Sequence, residues 1–327
     1  MRKLLILFII LFIYGCTEDT AFRQNLSETQ LPILNGQAAN SAYSSTVAIA
    51  LIQDGTPYVY CSGVLIAENV VLTAAHCLID DEIFPFKQLF EEGKIAVIAA
   101  EDAAHPENTH IFGTERYMLN PDYRSNASDH DIALLWLNAP VPETIAHPMP
   151  LLTSRDAVWQ IYHQNTPLEF VGYGITETDR DSIRLRAEGF IKRYCADDAQ
   201  IACAENDSFG QKIIFSAGSI FHNIEKAGPC NGDSGGPVLV NHNGEPHVLG
   251  IIAAGDADCR DYAISIAVPD YYGWIYDTMH TETENDDCSA LPQTTKHAPN
   301  AWWMMICLAC FVFRKKLRAL KLAKPQT

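Results

Sequence analysis

Pro229-Cys230-Asn231-Gly232-Asp233-Ser234-Gly235-Gly236-Pro237 gathers into one run what a serine nucleophile needs around it. A plain serine is a poor nucleophile and requires a base beside it. It also requires backbone N–H donors aimed at the oxyanion that forms on attack. The glycines at 232, 235 and 236 let the chain turn sharply and approach a substrate closely. The N–H groups of Gly232 and Ser234 can then converge on one point. A second run, Val70-Val71-Leu72-Thr73-Ala74-Ala75-His76-Cys77, is an apolar strand that ends in small residues and a histidine. A third, Asp129-His130-Asp131-Ile132-Ala133-Leu134-Leu135-Trp136-Leu137, sets an acid directly before an apolar strand. An acid buried with such a strand needs a partner, and an imidazole N–H is a suitable one. Asp131 is the expected acid. Asp129 is a rival farther from the strand, and His130 reads as a surface or packing residue. The order along the chain is His, Asp, Ser.

These three runs resemble the trypsin/chymotrypsin family of serine endopeptidases, and the resemblance extends over residues 33–280. It includes Ile33-Leu34-Asn35-Gly36, similar to the family's mature N-terminus, and the Gly172-Tyr173-Gly174 turn. Tyr272-Gly273-Trp274-Ile275 is similar to the start of the family's C-terminal helix. The resemblance implies an all-β fold of two six-stranded antiparallel barrels with a C-terminal helix. The barrels are expected at about 33–150 and 151–280. Strand signals that fit this reading lie at 46–52, 61–66, 70–73, 95–99, 132–137, 168–171, 237–240, 247–253 and 263–268, punctuated by Gly, Pro and Asn.

The implied chemistry is peptide hydrolysis through an acyl-enzyme. Ser234 attacks, His76 moves the proton, Asp131 orients the imidazole, and the N–H groups of Gly232 and Ser234 hold the oxyanion. Asp233 is implied to pair with a new amine at Ile33 once the chain is cut there. Pro32 precedes that bond, so a trypsin-like activator is not expected. The pocket is implied at Gly228, Ala253, Gly255 and Ala263. With no acid at its base it suits an apolar P1 residue, although Asp256, Asp258 and Asp261 crowd the same rim and offer a basic P1 as the alternative. A non-catalytic binding or adhesion protein on the same fold is the competing reading. Such proteins usually lose a triad member, and here all three are present.

The chain has 327 residues, 48% apolar, enough for a large core, and a net charge of −17. That charge reads as solubility and argues against nucleic acid as a partner. No cofactor is expected and no metal-ligand spacing stands out. Partners are protein or peptide substrates, an unidentified activating protease, and a membrane through the terminal segments.

Residues 1–15 read as a signal peptide: Arg2 and Lys3 precede an apolar run at 4–13 that is too short for a typical membrane span. Ile13-Tyr14-Gly15-Cys16 resembles a bacterial lipobox, which would lipidate Cys16; Tyr14 is bulkier than usual there, and ordinary cleavage near Gly15 is the alternative. Residues 16–32 then form a propeptide or linker. A polar linker at 281–300 carries Cys288, and 301–327 holds an apolar run followed by Arg314-Lys315-Lys316. The run at 301–313 spans about 20 Å as a helix, short of a hydrocarbon core. This arrangement resembles bacterial sorting tails, with Cys288 as the processing site; a plain weak anchor is the alternative. The expected place is therefore a bacterial cell envelope, or the medium after processing.

Ten cysteines accord with export. The family resemblance implies bridges Cys61–Cys77 and Cys230–Cys259. Cys16, Cys307 and Cys310 belong to the two end segments; Cys195 and Cys203 then remain to pair locally, and Cys288 is left single. The family's Phe-Cys-Ala-Gly run is replaced by Phe215-Ser216-Ala217-Gly218; on a second alignment Cys203-Ala204 fills that place.

Overall fold

Short β-branched and apolar runs broken by turn residues pair both with their neighbours in sequence and with more distant strands, all antiparallel. In a computed structural model of the chain, residues 33, 36–81, 84–125, 129–174, 182–199, 202–224 and 228–281 are described. The strands are β1 (Gln37–Ala38), β2 (Thr46–Gln53), β3 (Thr56–Ala67), β4 (Val70–Thr73), β5 (Ile95–Ile98), β6 (Ile111–Leu119) and β7 (Ala133–Leu137). They continue with β8 (Leu168–Gly172), β9 (Leu185–Cys195), β10 (Cys203–Asn206), β11 (Lys212–Phe215), β12 (Ser219–Asn223), β13 (Pro237–His242), β14 (Glu245–Gly255) and β15 (Tyr262–Ala267). Three helices, α1 (Phe86–Glu91), α2 (Arg155–Gln164) and α3 (Val268–His280), lie among them.

β2, β3, β4, β7, β6 and β5 close into one six-stranded antiparallel barrel. β9, β12, β15, β14, β13 and β8 form a second, closed by the β8–β9 pairing. The two-barrel fold and its C-terminal helix are as the sequence implied. β10 and β11 form a separate hairpin. β1 pairs across to β9, Gln37 opposite Arg186, so the N-terminal strand is an edge of the second barrel.

Alternation within β2 shows how the barrels meet. Large Val47, Ile49 and Leu51 alternate with Ala48 and Ala50, and all five are buried. Period two puts the alanines on one face, and there they pack with Ile98, Ala103 and Tyr173, the residue that follows β8. Tyr173 is 2% exposed and its hydroxyl lies 3.1 Å from the Thr46 carbonyl. Burying a side chain of this size contributes about 2–3 kcal/mol, and Ala50→Leu would fill the space that the ring occupies.

The strand signals missed β1, β6, β9, β10, β11 and β12. β6 carries Thr114-Glu115-Arg116 in its middle and leaves one face partly exposed, and β9 is equally mixed; neither reads as an apolar run. α2 was unexpected, though its marks are in the sequence: the Ser154 side chain accepts from the Ala157 N–H, Asn165 ends the helix in the left-handed conformation, and Ala157, Val158 and Ile161 are buried. Val268 opens α3 rather than ending a strand. The expectations at 1–32, including Cys16, and at 282–327, including Cys288, lie outside the described residues. No described helix is long and apolar enough to cross a membrane.

Candidate active site

Register in the first barrel brings the first two candidate side chains together. β4 and β7 are antiparallel, with Thr73 opposite Ala133. His76 follows the end of β4 on a single 3-10 turn, Ala75–Leu78, and Asp131 precedes the start of β7. Both therefore leave the sheet at the same edge. A Cys61–Cys77 disulfide ties that turn to β3. Asp131 is 1% exposed, and both of its oxygens are used: Oδ2 lies 2.6 Å from His76 Nδ1, and Oδ1 accepts the His76 backbone N–H at 2.8 Å. With Nδ1–H donated to the carboxylate, Nε2 is left as the acceptor. Burial pulls the imidazole pKa down, but the hydrogen bond to Asp131 and its charge outweigh burial, and the pKa is raised above 6.5. Tyr123 senses the same carboxylate: burial first, then the Asp131 charge, push its phenol up to about 12.

Ser234 sits in a loop bent by two left-handed glycines, Gly232 at φ +91° and Gly235 at φ +82°. Asp233 N–H donates to the Cys230 carbonyl, Gly235 N–H to Ile252, and Gly236 N–H to Asp233. The N–H groups of Gly232 and Ser234 have no backbone acceptor among the described residues. A side chain at 235 would meet Thr73 Oγ1 and the Ser62 carbonyl. The loop therefore lies directly against β3 and β4, beside the histidine turn. The Ser234 carbonyl accepts from the Ser62 N–H at 2.8 Å and lies 3.6 Å from Cys77 Sγ.

Ser62 is the residue that sequence reasoning missed. It is fully buried on β3; its hydroxyl donates to the Gly232 carbonyl at 2.9 Å and accepts from the Tyr173 N–H at 2.9 Å. One first-barrel serine thus holds the second-barrel Ser234 loop at two carbonyls. Its only sequence mark is its place after Cys61.

Asp233 is also fully buried. Oδ1 accepts the Gly174 N–H at 2.8 Å and Oδ2 the Cys230 N–H at 2.9 Å. Side chains at 172 or 174 would run into this carboxylate, which explains the glycines on either side of Tyr173. Burial pushes the Asp233 pKa up to about 7 against those two N–H bonds. No cation pairs with it among the described residues. Ile33 is 2% exposed, and its nitrogen is bonded to Pro32 in the intact chain.

The remaining candidates cluster at the end of β14. Gly255 pairs with Ala263 on β15, and a side chain there would stand 3.2 Å from the Tyr262 carbonyl and 3.7 Å from the Pro229 carbonyl. The register slips between Ile252 and Ala254, which leaves Ala253 as a bulge residue. Gly228 packs against the Ile224 side chain. A Cys230–Cys259 disulfide joins this rim to the Ser234 loop. Of the rim acids, Asp256 accepts N–H bonds from Arg260, Asp261 and Tyr262, and Asp261 accepts from Ser208. Cys195 and Cys203 are bonded at the base of the β10–β11 hairpin. Phe215-Ser216-Ala217-Gly218 ends that hairpin and turns into β12.

Among the described residues, one group of metal-type ligands is close-set, Cys61, His76 and Cys77. Two of these are consumed by their disulfide.

The sequence model of the Trypsin family matches residues 33–275. The chain is 25% identical to "CLIP domain-containing serine protease C9" of Anopheles gambiae over 71% of its own length and 63% of that protein's. It is 25% identical to "Chymotrypsin-like elastase family member 1" of Canis lupus familiaris, covering 77% of this chain and 94% of the relative. The human protein of the same name is 26% identical, with the same coverage on both sides.

Proposed function

From the premise that this chain belongs to the trypsin family and is a serine endopeptidase, we propose that it cuts peptide bonds through His76, Asp131 and Ser234. Ser234 Oγ attacks the scissile carbonyl while His76 Nε2 takes its proton. The acyl-enzyme forms as the amine leaves with that proton. Water then attacks the ester, with His76 again as the base, and the acid product leaves. Asp131 holds the imidazole with Nδ1–H inward and stabilises the imidazolium. The N–H groups of Gly232 and Ser234 receive the oxyanion, at about 3–4 kcal/mol per donor. The observation that carries this reading is the doubly bonded Asp131–His76 pair beside a serine loop held to the same barrel by Ser62.

An apolar P1 residue is the proposed preference. Gly228, Ala253, Gly255 and Ala263 bring no charge, and Asp256 and Asp261 are already engaged by loop N–H groups. Cleavage before Ile33 is the proposed activation step, because it would create a cation for Asp233, which has none among the described residues. The three disulfides accord with export to an oxidising compartment. Retention in a bacterial envelope through a lipid on Cys16, and processing at Cys288, rest on the sequence of the two ends.

The test is digestion of a P1-randomised peptide library by the matured enzyme and by its Ser234→Ala variant. Cleavage after apolar residues that vanishes in the variant supports the whole reading. Cleavage after Lys or Arg would overturn the pocket assignment. Equal activity in the variant would overturn the mechanism, and a folded, processed protein with no activity would favour a binding role. N-terminal sequencing of the active form checks the start at Ile33.

A further inference from the structure

His130, between Asp129 and Asp131, is more than a surface residue. Its backbone is left-handed at φ +54°, a conformation uncommon outside glycine. Its carbonyl accepts the Ile132 N–H at 2.8 Å, so the chain makes a tight turn whose central residue is Asp131. Its ring meets Tyr271 of α3 edge-on at 5.7 Å between centroids, and 3.0 Å separates His130 Nδ1 from the Tyr271 hydroxyl.

Tyr271 is a firm anchor. It is 5% exposed, and the left-handed Gly218 packs so close that an added side-chain carbon would stand 2.6 Å from the hydroxyl. Gly218 is itself bonded to the strands on both sides, donating to the Cys195 carbonyl and accepting from the Ala267 N–H. Burial, reinforced by Asp197, Asp270, Asp129 and Asp122, holds the phenol far above its ordinary pKa, so it stays neutral and protonated. The contacts therefore run without a break from α3 through Tyr271 and His130 to the turn at Asp131, and from its carboxylate to His76.

We propose that His130 is a positioning residue for the Asp131 carboxylate, using its hydrogen bond to Tyr271 to fix the acid's turn against the helix that follows the second barrel. The proposal rests on the reading of His76, Asp131 and Ser234 given above. His76 and Asp131 both come from the first barrel, yet their alignment is then set partly from outside it. A carboxylate free to shift by a fraction of an ångström holds the imidazolium less well. Losing the restraint therefore lowers kcat and lowers the pKa of His76.

The test compares His130→Gly, His130→Asn and Tyr271→Phe in active-site-titrated enzyme matured from the full chain, with Ser234→Ala as the control. Glycine keeps the left-handed backbone without the ring. Asparagine tolerates that backbone and retains a polar side chain. Phenylalanine removes only the hydroxyl. His130→Gly and Tyr271→Phe should each lower kcat about five-fold, the equivalent of one neutral hydrogen bond, with KM unchanged. The acid limb of the kcat–pH profile should move to lower pH in both. The double variant should be no worse than either single one, and His130→Asn should recover part of the loss. Unchanged kcat and acid limb in both variants, with only the thermal midpoint lowered, would reduce the contact to packing and overturn the proposal. If His130→Gly does not fold, Tyr271→Phe decides by the same two readouts. Full activity in Ser234→Ala would instead sink the reading on which the proposal depends.

Discussion

Asp233 in the uncleaved chain gives a signed and sizeable pH effect. Its carboxyl is fully buried without a cation among the described residues, and burial pushes its pKa from 3.8 to about 7. A folded-state pKa above the unfolded one means that the native chain keeps a proton that the unfolded chain has released. Stability is therefore lost as pH rises across that window. The slope is about 1.4 kcal/mol per pH unit, which gives about 4 kcal/mol between pH 3.8 and about 7. The assay is urea unfolding of full-length Ser234→Ala protein, which cannot process itself, beside the same protein carrying Asp233→Asn. Asparagine has one accepting oxygen where the carboxylate uses two, for Gly174 and Cys230. That loss does not vary with pH and drops out of the slope. From about pH 4 to 7 the Asn protein should gain on its parent by about 1.4 kcal/mol per unit and then level off. A difference that stays constant with pH would show Asp233 ionised throughout, and the argument from burial would fail. On the proposed activation route, cleavage before Ile33 reverses the trend. An amine beside Asp233 depresses its pKa, and the stability it brings appears above the unfolded pKa and is lost on acidification.

Three further outcomes follow from the same geometry. Asp131→Asn should lower kcat about 10⁴-fold by favouring the wrong imidazole tautomer; the parent's kcat should fall as pH drops through a value above 6.5, and the variant's acid limb should lie lower, as a kcat–pH titration will show. Gly235→Ala should abolish activity with Ser234 intact, because φ is +82° and the new carbon would meet Thr73 and Ser62; denaturation should show a loss of more than about 2 kcal/mol. Replacing Cys61 and Cys77 by alanine should cost about 3 kcal/mol by loop entropy and lower kcat, since that bridge holds the His76 turn. Replacing Cys195 and Cys203 should cost slightly less stability and leave kcat within about two-fold, their closed loop being shorter.

Much of the fold was legible because its strands are local and apolar. The runs at 70–73 and 132–137 announce β4 and β7, and both candidate site residues stand at their ends. Of the barrel strands, β6, β9 and β12 were not legible. Burial along β6 and β9 is uneven, β12 carries the buried polar residues Ser219 and His222, and what makes all three strands is a neighbour already in place on each side. α2 was legible in principle through Ser154 and Asn165, but short cap signals are easily passed over between strands.

Composition and motif alone established the chemistry's ingredients: a histidine after one apolar strand, an acid before another, and a serine among glycines. These are local facts, since each depends on residues adjacent in the chain. Tertiary structure decided what those ingredients touch. The pairing of β4 with β7 puts Asp131 against His76, and the buried hydroxyl of Ser62 ties the Ser234 loop to the first barrel. Asp233 becomes a buried carboxylate because Gly172 and Gly174 leave room for it, and His130 becomes an anchor because α3 presents Tyr271. Such contacts join residues far apart in the chain, 55 positions for His76 and Asp131 and 170 for Ser62 and Gly232. They depend on how two closed barrels meet, and no pattern within a single run encodes that.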